Sequence, residues 1–423
     1  MLKQLKTINT TKTFDFFIYG FGQALNLVSP FLVAPYIIST CGVANFGKSG
    51  VAMAIAFFLI VLIDYGSDIV GVKEIAVNRE NRSQLKKIFA TTFAAKLFLL
   101  LVLLTFLSCC YVFIPFFNNE KALYFLTFPI LIGQFLNPTW FLQGTDNFRG
   151  ITSLNLFSKI FYLVTIFLII KKPEDYIYIN FLWGFGMIIP FAVGTIICIN
   201  RYDIKMADFE VKATQLFLKN HFNFFVSQLF LSLKNYAPLV VVSFLGGYFI
   251  AGQYSIIEKI IMPFRSYLQI IFRFFYPKLC FELSISQQKG IALWRKINTV
   301  NLLLVLILLA LVYVYSAQIL LFFKVKLVTL EEMQSLLKYS LLIPLLLTIS
   351  FIFEQLLLSS GNKQAYIKVT IITVVINSIL LPVLFWRFEL LGLISAIIIT
   401  EIIVIALYML ILKKLFIKDA YII

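Results

Sequence analysis

This sequence predicts an all-helical membrane fold of about twelve spans, arranged as two six-helix lobes. Three observations carry that expectation. First, 61% of the 423 residues are hydrophobic and only 13% are charged, with a mean hydropathy of +0.94. A soluble domain carries about 25% charged residues. Second, the apolar runs are continuous rather than alternating. Lipid permits only helices or closed barrels, and continuous runs select helices. Third, short stretches of the two halves echo each other, as described below.

Taken in order, apolar runs long enough to span a bilayer fall at 14–38, 47–68, 89–117, 123–145, 150–170 and 176–199. Six more follow at 214–245, 249–278, 294–323, 333–360, 364–386 and 390–412. The first follows lysines in "MLKQLKTINTTKTFDFFIYGFG", as a signal peptide would. It contains Pro30 and Pro35 and shows no small-residue cleavage site, so a retained first helix is expected. No connection is much longer than about 20 residues, which leaves no room for a soluble catalytic domain. Lys and Arg set the orientation. With the N-terminus inside, the inside segments outnumber the outside ones in Lys and Arg by roughly three to one. Both termini are therefore expected to be cytoplasmic. The net charge of +16 is spread over these short loops, which excludes a nucleic-acid partner.

The repeat is faint. "APYIISTCGVANFG" at 34–47 resembles "APLVVVSFLGGYFIAG" at 237–252, each with Ala-Pro and then two glycines five apart. "PILIGQFLNPTWFLQGTDN" at 129–147 parallels "PLLLTISFIFEQLLLSSGNK" at 344–363. Two matches in the same order point to lobes at 1–205 and 206–423. An even number of spans per lobe gives both the same orientation, a parallel repeat.

The polar stretch "NPTWFLQGTDNFRG" at 137–150 interrupts two greasy runs. It is expected to end the fourth span and turn into the fifth. Pro138 can kink the helix. Gly144 and the polar residues after it supply turn chemistry. Trp140 suits a headgroup-level anchor.

Five cysteines (Cys41, Cys109, Cys110, Cys198, Cys280) lack metal-ligand spacing and read as small apolar packers. The single histidine, His221, cannot build a metal site or a His-based triad. It reads as an interfacial residue at a helix start. No cofactor is implied.

Charges inside spans are more informative, because a charge at the bilayer centre costs about 2.5–3.5 kcal/mol on insertion scales. Lys96, Lys159, Lys234, Lys259, Arg265 and Arg273 fall within spans, as do Asp64, Glu258, Glu354 and Glu401. Arg273 can also snorkel toward the inside face. The balance is cationic. A cavity lined by Lys and Arg suits an anionic cargo, with phosphate the obvious class. Asp64, Glu258 and Glu354 are the candidates for taking a coupling proton or Na⁺.

At this point the chain resembles a family. "APYIISTCGVANFG", "LIDYGSDIVGVKEIAVNRENRSQLKKIFATTFAAKLFLL", "NPTWFLQGTDNF" and "FLIIKKPEDYIYI" are similar to the Wzx-type polysaccharide flippases. These belong to the MATE-like multidrug/oligosaccharidyl-lipid/polysaccharide exporter superfamily. The likeness is densest over 26–180, with "GGYFIAGQYSIIEKIIMPFR" and "LLLSSGNKQAYIKV" its clearest parts in the second half. Lys73 stands where the family often has Arg, and Lys lacks the bidentate geometry.

The resemblance implies a two-lobed, twelve-helix transporter of the bacterial inner membrane and no enzyme. It implies transfer of undecaprenyl-diphosphate-linked oligosaccharide from the cytoplasmic to the periplasmic leaflet, for O-antigen or capsule synthesis. Alternating access around a cationic cavity and an ion gradient go with it. The absence of a G-x-x-x-x-G-K-[ST] loop agrees. The diphosphate is expected against Lys96, Lys159, Lys234 and Arg265, with Lys259 and Arg273 as further cationic candidates. A polysaccharide polymerase and chain-length machinery are candidate physical partners. The alternatives are a MATE-like drug or cation antiporter, which would favour acids and aromatics over in-span cations, and a flippase for another lipid-linked precursor.

Overall fold

The structure, a computed structural model, describes residues 29–420. The side chains of Met206, Arg273, Pro277, Lys363 and residues 415–420 are not among those described. The start of the expected first span and the question of its retention lie outside the described residues. The described chain is helical and divides into two compact units, Met1–Ser232 and Leu233–Ile423.

The first unit opens with α1 (Ser29–Cys41) and α2 (Val43–Asp64). Gly42 separates them at φ 83°, a conformation natural to glycine. A short π-helical turn, Ser67–Gly71, leads into α3 (Val72–Val77). Then come α4 (Arg82–Phe113), α5 (Lys121–Phe125), α6 (Phe128–Phe135), α7 (Thr139–Gly144), α8 (Phe148–Ile169) and α9 (Tyr178–Tyr202). Helix α4 starts seven residues before the expected span at 89. The reason is a cap: the Asn81 side chain accepts from the Gln84 backbone N–H at 3.1 Å.

The expected fourth span is not one helix. The segments Pro115–Phe125 and Phe128–Gly144 are bent by 55°. A second lapse separates α6 from α7 at Pro138, which cannot donate to the ladder.

Helices α6 and α9 approach closely because of glycine. A Cβ on Gly133 would sit 2.6 Å from the Met187 Cβ, and one on Gly184 would sit 2.3 Å from the Ile130 backbone nitrogen. Small residues at a crossing let membrane helices gain contact where no water is expelled. Buried Asn180 donates to the Ser49 carbonyl at 2.9 Å and to the Thr127 hydroxyl at 3.2 Å, tying α9 to α2 and to the bend.

Helix α10 (Val211–Ile285) passes from the first unit into the second. The second unit continues with α11 (Gln287–Val314), α12 (Ser316–Phe322), α13 (Leu327–Ser340), α14 (Leu342–Ser359) and α15 (Lys363–Ala420). Single non-helical residues interrupt α10 at Gly247 (φ 78°, ψ 176°) and α15 at Glu389 (φ 48°, ψ −130°). Each break lies in a gap between expected spans, so each long helix covers two of them. Leu356, Leu357, Val369, Val404, Tyr408 and Leu412 form an apolar cluster between α14 and α15. Buried Gln355 accepts from the Asn298 amide at 3.0 Å, and Trp294 donates to the Ile352 carbonyl at 3.0 Å, holding α11 to α14.

Among the described residues, eight helices are long and apolar enough to cross a membrane, or nine with the bent pair counted as one span. The protein is a multi-pass membrane protein.

Candidate functional site

The polar stretch at 137–150 is the natural entry. Asn137 lies in the lapse between α6 and α7, where its side chain accepts from the Thr139 backbone N–H at 3.0 Å. Its amide donates to the Gln134 side chain at 3.4 Å. Gln134 in turn donates to Asp64 Oδ2 at 2.8 Å. The other oxygen, Asp64 Oδ1, lies 3.0 Å from Lys96 Nζ. A polar chain thus runs Lys96–Asp64–Gln134–Asn137 across α4, α2 and α6.

Lys96 is 1% exposed. Two residues expected in different roles, a cation for cargo and an acid for coupling, are one ion pair. Lys96 is occupied by Asp64 rather than open to a ligand. In the bilayer, pairing is what makes each charge tolerable.

The rest of the stretch is structural. Gly144 is buried, and a Cβ there would meet the Ile75 side chain at 2.5 Å. Its carbonyl accepts from Arg79 Nε at 3.2 Å and Nη2 at 3.0 Å, while Arg79 also pairs with Asp146. Trp140 is 6% exposed and stacks with Phe89, beside Phe141, Leu85 and Ile151. It is a core residue and not the headgroup anchor expected, because the bend folds it inward. His221 is likewise buried. Its Nδ1 lies 2.8 Å from the Phe217 carbonyl and its Nε2 3.4 Å from Glu74. It lies ten residues into α10 rather than at a helix start.

Lys159, on α8, places its ammonium 3.3 Å from the centroid of the Trp183 ring. The ring is held by Tyr162 and Phe57, edge-on at 4.8 and 6.1 Å. A cation over an indole face is stabilised by the ring quadrupole.

The second unit has its own pair. Lys234 Nζ lies 2.6 Å from Glu401 Oε1, and Ser350 donates to Glu401 Oε2 at 2.9 Å. The Glu401 side chain is 2% exposed and that of Lys234 is 24% exposed, so Lys234 remains approachable. Glu354 follows Ser350 by four residues on α14, which puts both on one face. Thr400, the residue before Glu401 on α15, accepts from Asn377 at 3.1 Å.

Arg265 donates to the Asn235 side chain at 3.4 Å across the two arms of α10. Glu258 and Lys259 are half-buried on the same arm as Arg265. The side chain of Arg273 lies outside the described residues.

The structure therefore joins Asp64 with Lys96, and Lys234 with Glu401 near Glu354. Lys159 joins neither pair, and Arg265 reaches Asn235, the residue next to Lys234. Glu401 was visible as an acid inside "IIITEIIVIAL", but nothing local marked it as the partner of a lysine 167 positions earlier. Gln134, Ser350 and Asn235 carry no sequence signal at all.

Known proteins resemble this chain in sequence and in fold. The family model described as "Polysaccharide biosynthesis protein" matches residues 14–280. Two relatives carry the name "Putative O-antigen transporter". The one from Escherichia coli (strain K12) is 22% identical over 274 residues, 65% of this chain and 66% of that protein. The one from Shigella dysenteriae is 23% identical over 260 residues, 60% of this chain and 64% of that protein. The match thus spans slightly less than two thirds of either relative. Among solved structures, "Lipid II flippase MurJ, inward closed conformation" aligns with a TM-score of 0.70 at 17% identity, over 95% of this chain and 87% of that one. An inward-facing multidrug resistance MATE family transporter of the MOP superfamily aligns with a TM-score of 0.69 at 13% identity, over 92% and 95%. At such identities the likeness is one of fold, and the fold is MATE-like.

Proposed function

The chain belongs to the polysaccharide biosynthesis protein family, and we propose that it is a flippase for undecaprenyl-diphosphate-linked oligosaccharide. The cargo moves from the cytoplasmic to the periplasmic leaflet of the inner membrane, for O-antigen or capsule synthesis. The observation that carries this reading is the approachable, half-buried Lys234 held by buried Glu401. A lysine in a membrane interior that is paired with a carboxylate is a ready counterion for a diphosphate. Within the second unit Arg265 extends the cationic lining, and Lys159, Lys259 and Arg273 stay candidates on their sequence positions. Arg265 offers the planar fork that suits phosphate oxygens.

The acids have a different part. Asp64, Glu258 and Glu354 remain the candidates for ion coupling by a proton or Na⁺, and Glu401 joins them. A carboxylate that loses its ammonium partner to a competing anion must be neutralised or re-paired, since an isolated buried charge is expensive. That links anion binding to cation uptake at one place. The lobes proposed from sequence, 1–205 and 206–423, each supply one of the two ion pairs. The names of the two relatives support the cargo class, and the cationic balance supports an anion.

The test is chemical. Lipid extracts of a strain lacking the gene should accumulate undecaprenyl-diphosphate-linked oligosaccharide while surface polysaccharide falls, and restoring the gene should reverse both. No change in either would reject the reading. A MATE-like drug antiporter is the second reading, favoured by the multidrug transporters among its structural neighbours. Drug hypersensitivity of the same strain, with normal polysaccharide, would establish it.

A further inference from the structure

We infer that the second unit carries a separate binding cavity for the sugar part of the cargo. This rests on the flippase reading and adds a site to it. The cavity has a volume of about 560 Å³ and is lined by Gln253, Glu332, Ser335, Tyr339, Glu389 and Ser395 among others. That is within the size range of small-ligand sites.

Its residues come from three places: 250–253 on α10, 332–339 on α13 and 388–395 on α15. All three lie where the expected spans meet the outside face. The cavity is therefore at the release end of the unit, away from the Lys234–Glu401 pair.

Two observations mark it as a site. Gln253 is only 8% exposed and lines the cavity, yet its amide makes no hydrogen bond among the described residues. Its amide is not sealed from the cavity, so a ligand there can pair with it. Glu389 lines the same cavity with φ 48° and ψ −130°, a backbone conformation that L side chains rarely adopt. Strain of this kind collects at ligand clamps.

The lining defines the ligand. Glu332 and Glu389 accept hydrogen bonds. Gln253 both donates and accepts. Tyr339 and Ser395, 3.2 Å apart, and Ser335 add hydroxyls. Exposed Phe388 supplies a flat apolar face. No Lys or Arg lines the cavity, so it is not a diphosphate site. Two carboxylates repel acidic sugars and welcome the hydroxyl or ammonium donors of neutral and amino sugars.

The experiment uses the full chain in lipid nanodiscs. The probe is the oligosaccharide cleaved by mild acid from the lipid-linked units of the strain lacking the gene, titrated calorimetrically. Saturable binding is expected, weakened at least tenfold in Gln253→Leu and in Glu332→Gln. Glu332 is exposed, so its variant tests the cavity without threatening the fold. Inorganic pyrophosphate should not compete. Wild-type affinity in both variants, no binding by the wild type, or competition by pyrophosphate would overturn the cavity proposal alone. Extracts that hold no lipid-linked units would overturn the flippase reading and this one together.

Discussion

Removing the Asp64 carboxylate should be far more harmful than removing the whole ion pair. Lys96 Nζ lies 3.0 Å from Asp64 Oδ1, and the two side chains are 2% and 15% exposed. In Asp64→Asn the ammonium stays buried without its counterion. Breaking a buried pair from one side costs about 3–5 kcal/mol. Lys96 is nearly solvent-free, so the upper half of that range applies, roughly a thousandfold in the unfolding equilibrium. Lys96→Met is milder. Asp64 keeps its 2.8 Å hydrogen bond from Gln134 and some exposure, so about 2 kcal/mol is expected. In Lys96→Met with Asp64→Asn neither charge is left, Gln134 keeps an amide partner, and the cost should fall near zero. Apolar replacement of a buried pair is often neutral. The coupling from this cycle should thus be several kcal/mol in favour of the double variant. Reversible unfolding in mixed detergent micelles, followed by tryptophan fluorescence, reads all three. Additive losses in the double variant would refute the pairing and return Lys96 to the free cations.

Other consequences can be checked with single variants. Arg265→Ala should lower polysaccharide export at least tenfold with protein levels unchanged, measured on membranes and surface polymer from one culture. Lys234→Ala should lower it as much per folded molecule, because it also leaves buried Glu401 without its counterion. Gly184→Ala puts a Cβ 2.3 Å from backbone at Ile130, which must force α6 and α9 apart at a cost of about 1–3 kcal/mol, seen as a lower yield of monodisperse protein. Asp203, just past the end of α9, is held below the usual carboxylate range, first by the hydrogen bond from Lys86 and then by the charges of Lys205 and Lys86. A lowered value means that its stabilising effect is complete above the ordinary carboxylate value of 3.8 and fades only below it. Lys86→Met should therefore shift thermal stability equally at pH 5 and pH 8, and a difference between the two would contradict the assignment.

Much of this protein is written in one dimension. Continuous apolar runs are enough to make helices in lipid, because the backbone has no other partner there. The gaps at 246–248 and 387–389 were legible because Gly247 and the charged Arg387 and Glu389 interrupt otherwise unbroken greasy sequence. The unusual in-span charges were legible for the same reason: Lys96, Asp64, Lys234 and Glu401 are conspicuous against their neighbours.

Their pairing was not legible. An ion pair is decided by which helix faces meet, and that depends on glycine contacts and bends far along the chain. The 55° bend after Phe125 turns Trp140 inward and brings Gln134 to Asp64, and neither follows from the run of residues at 137–150. Nothing in "TEIIVI" chooses Lys234, and only tertiary packing brings Glu401 of α15 to Lys234 of α10. Sequence alone determined that the chain spans a membrane and carries charges it must justify, because the cost of a charge in lipid is local. Tertiary structure decided which charges neutralise each other and which stay approachable, because electrostatic energy depends on distances of a few ångströms that only packing sets.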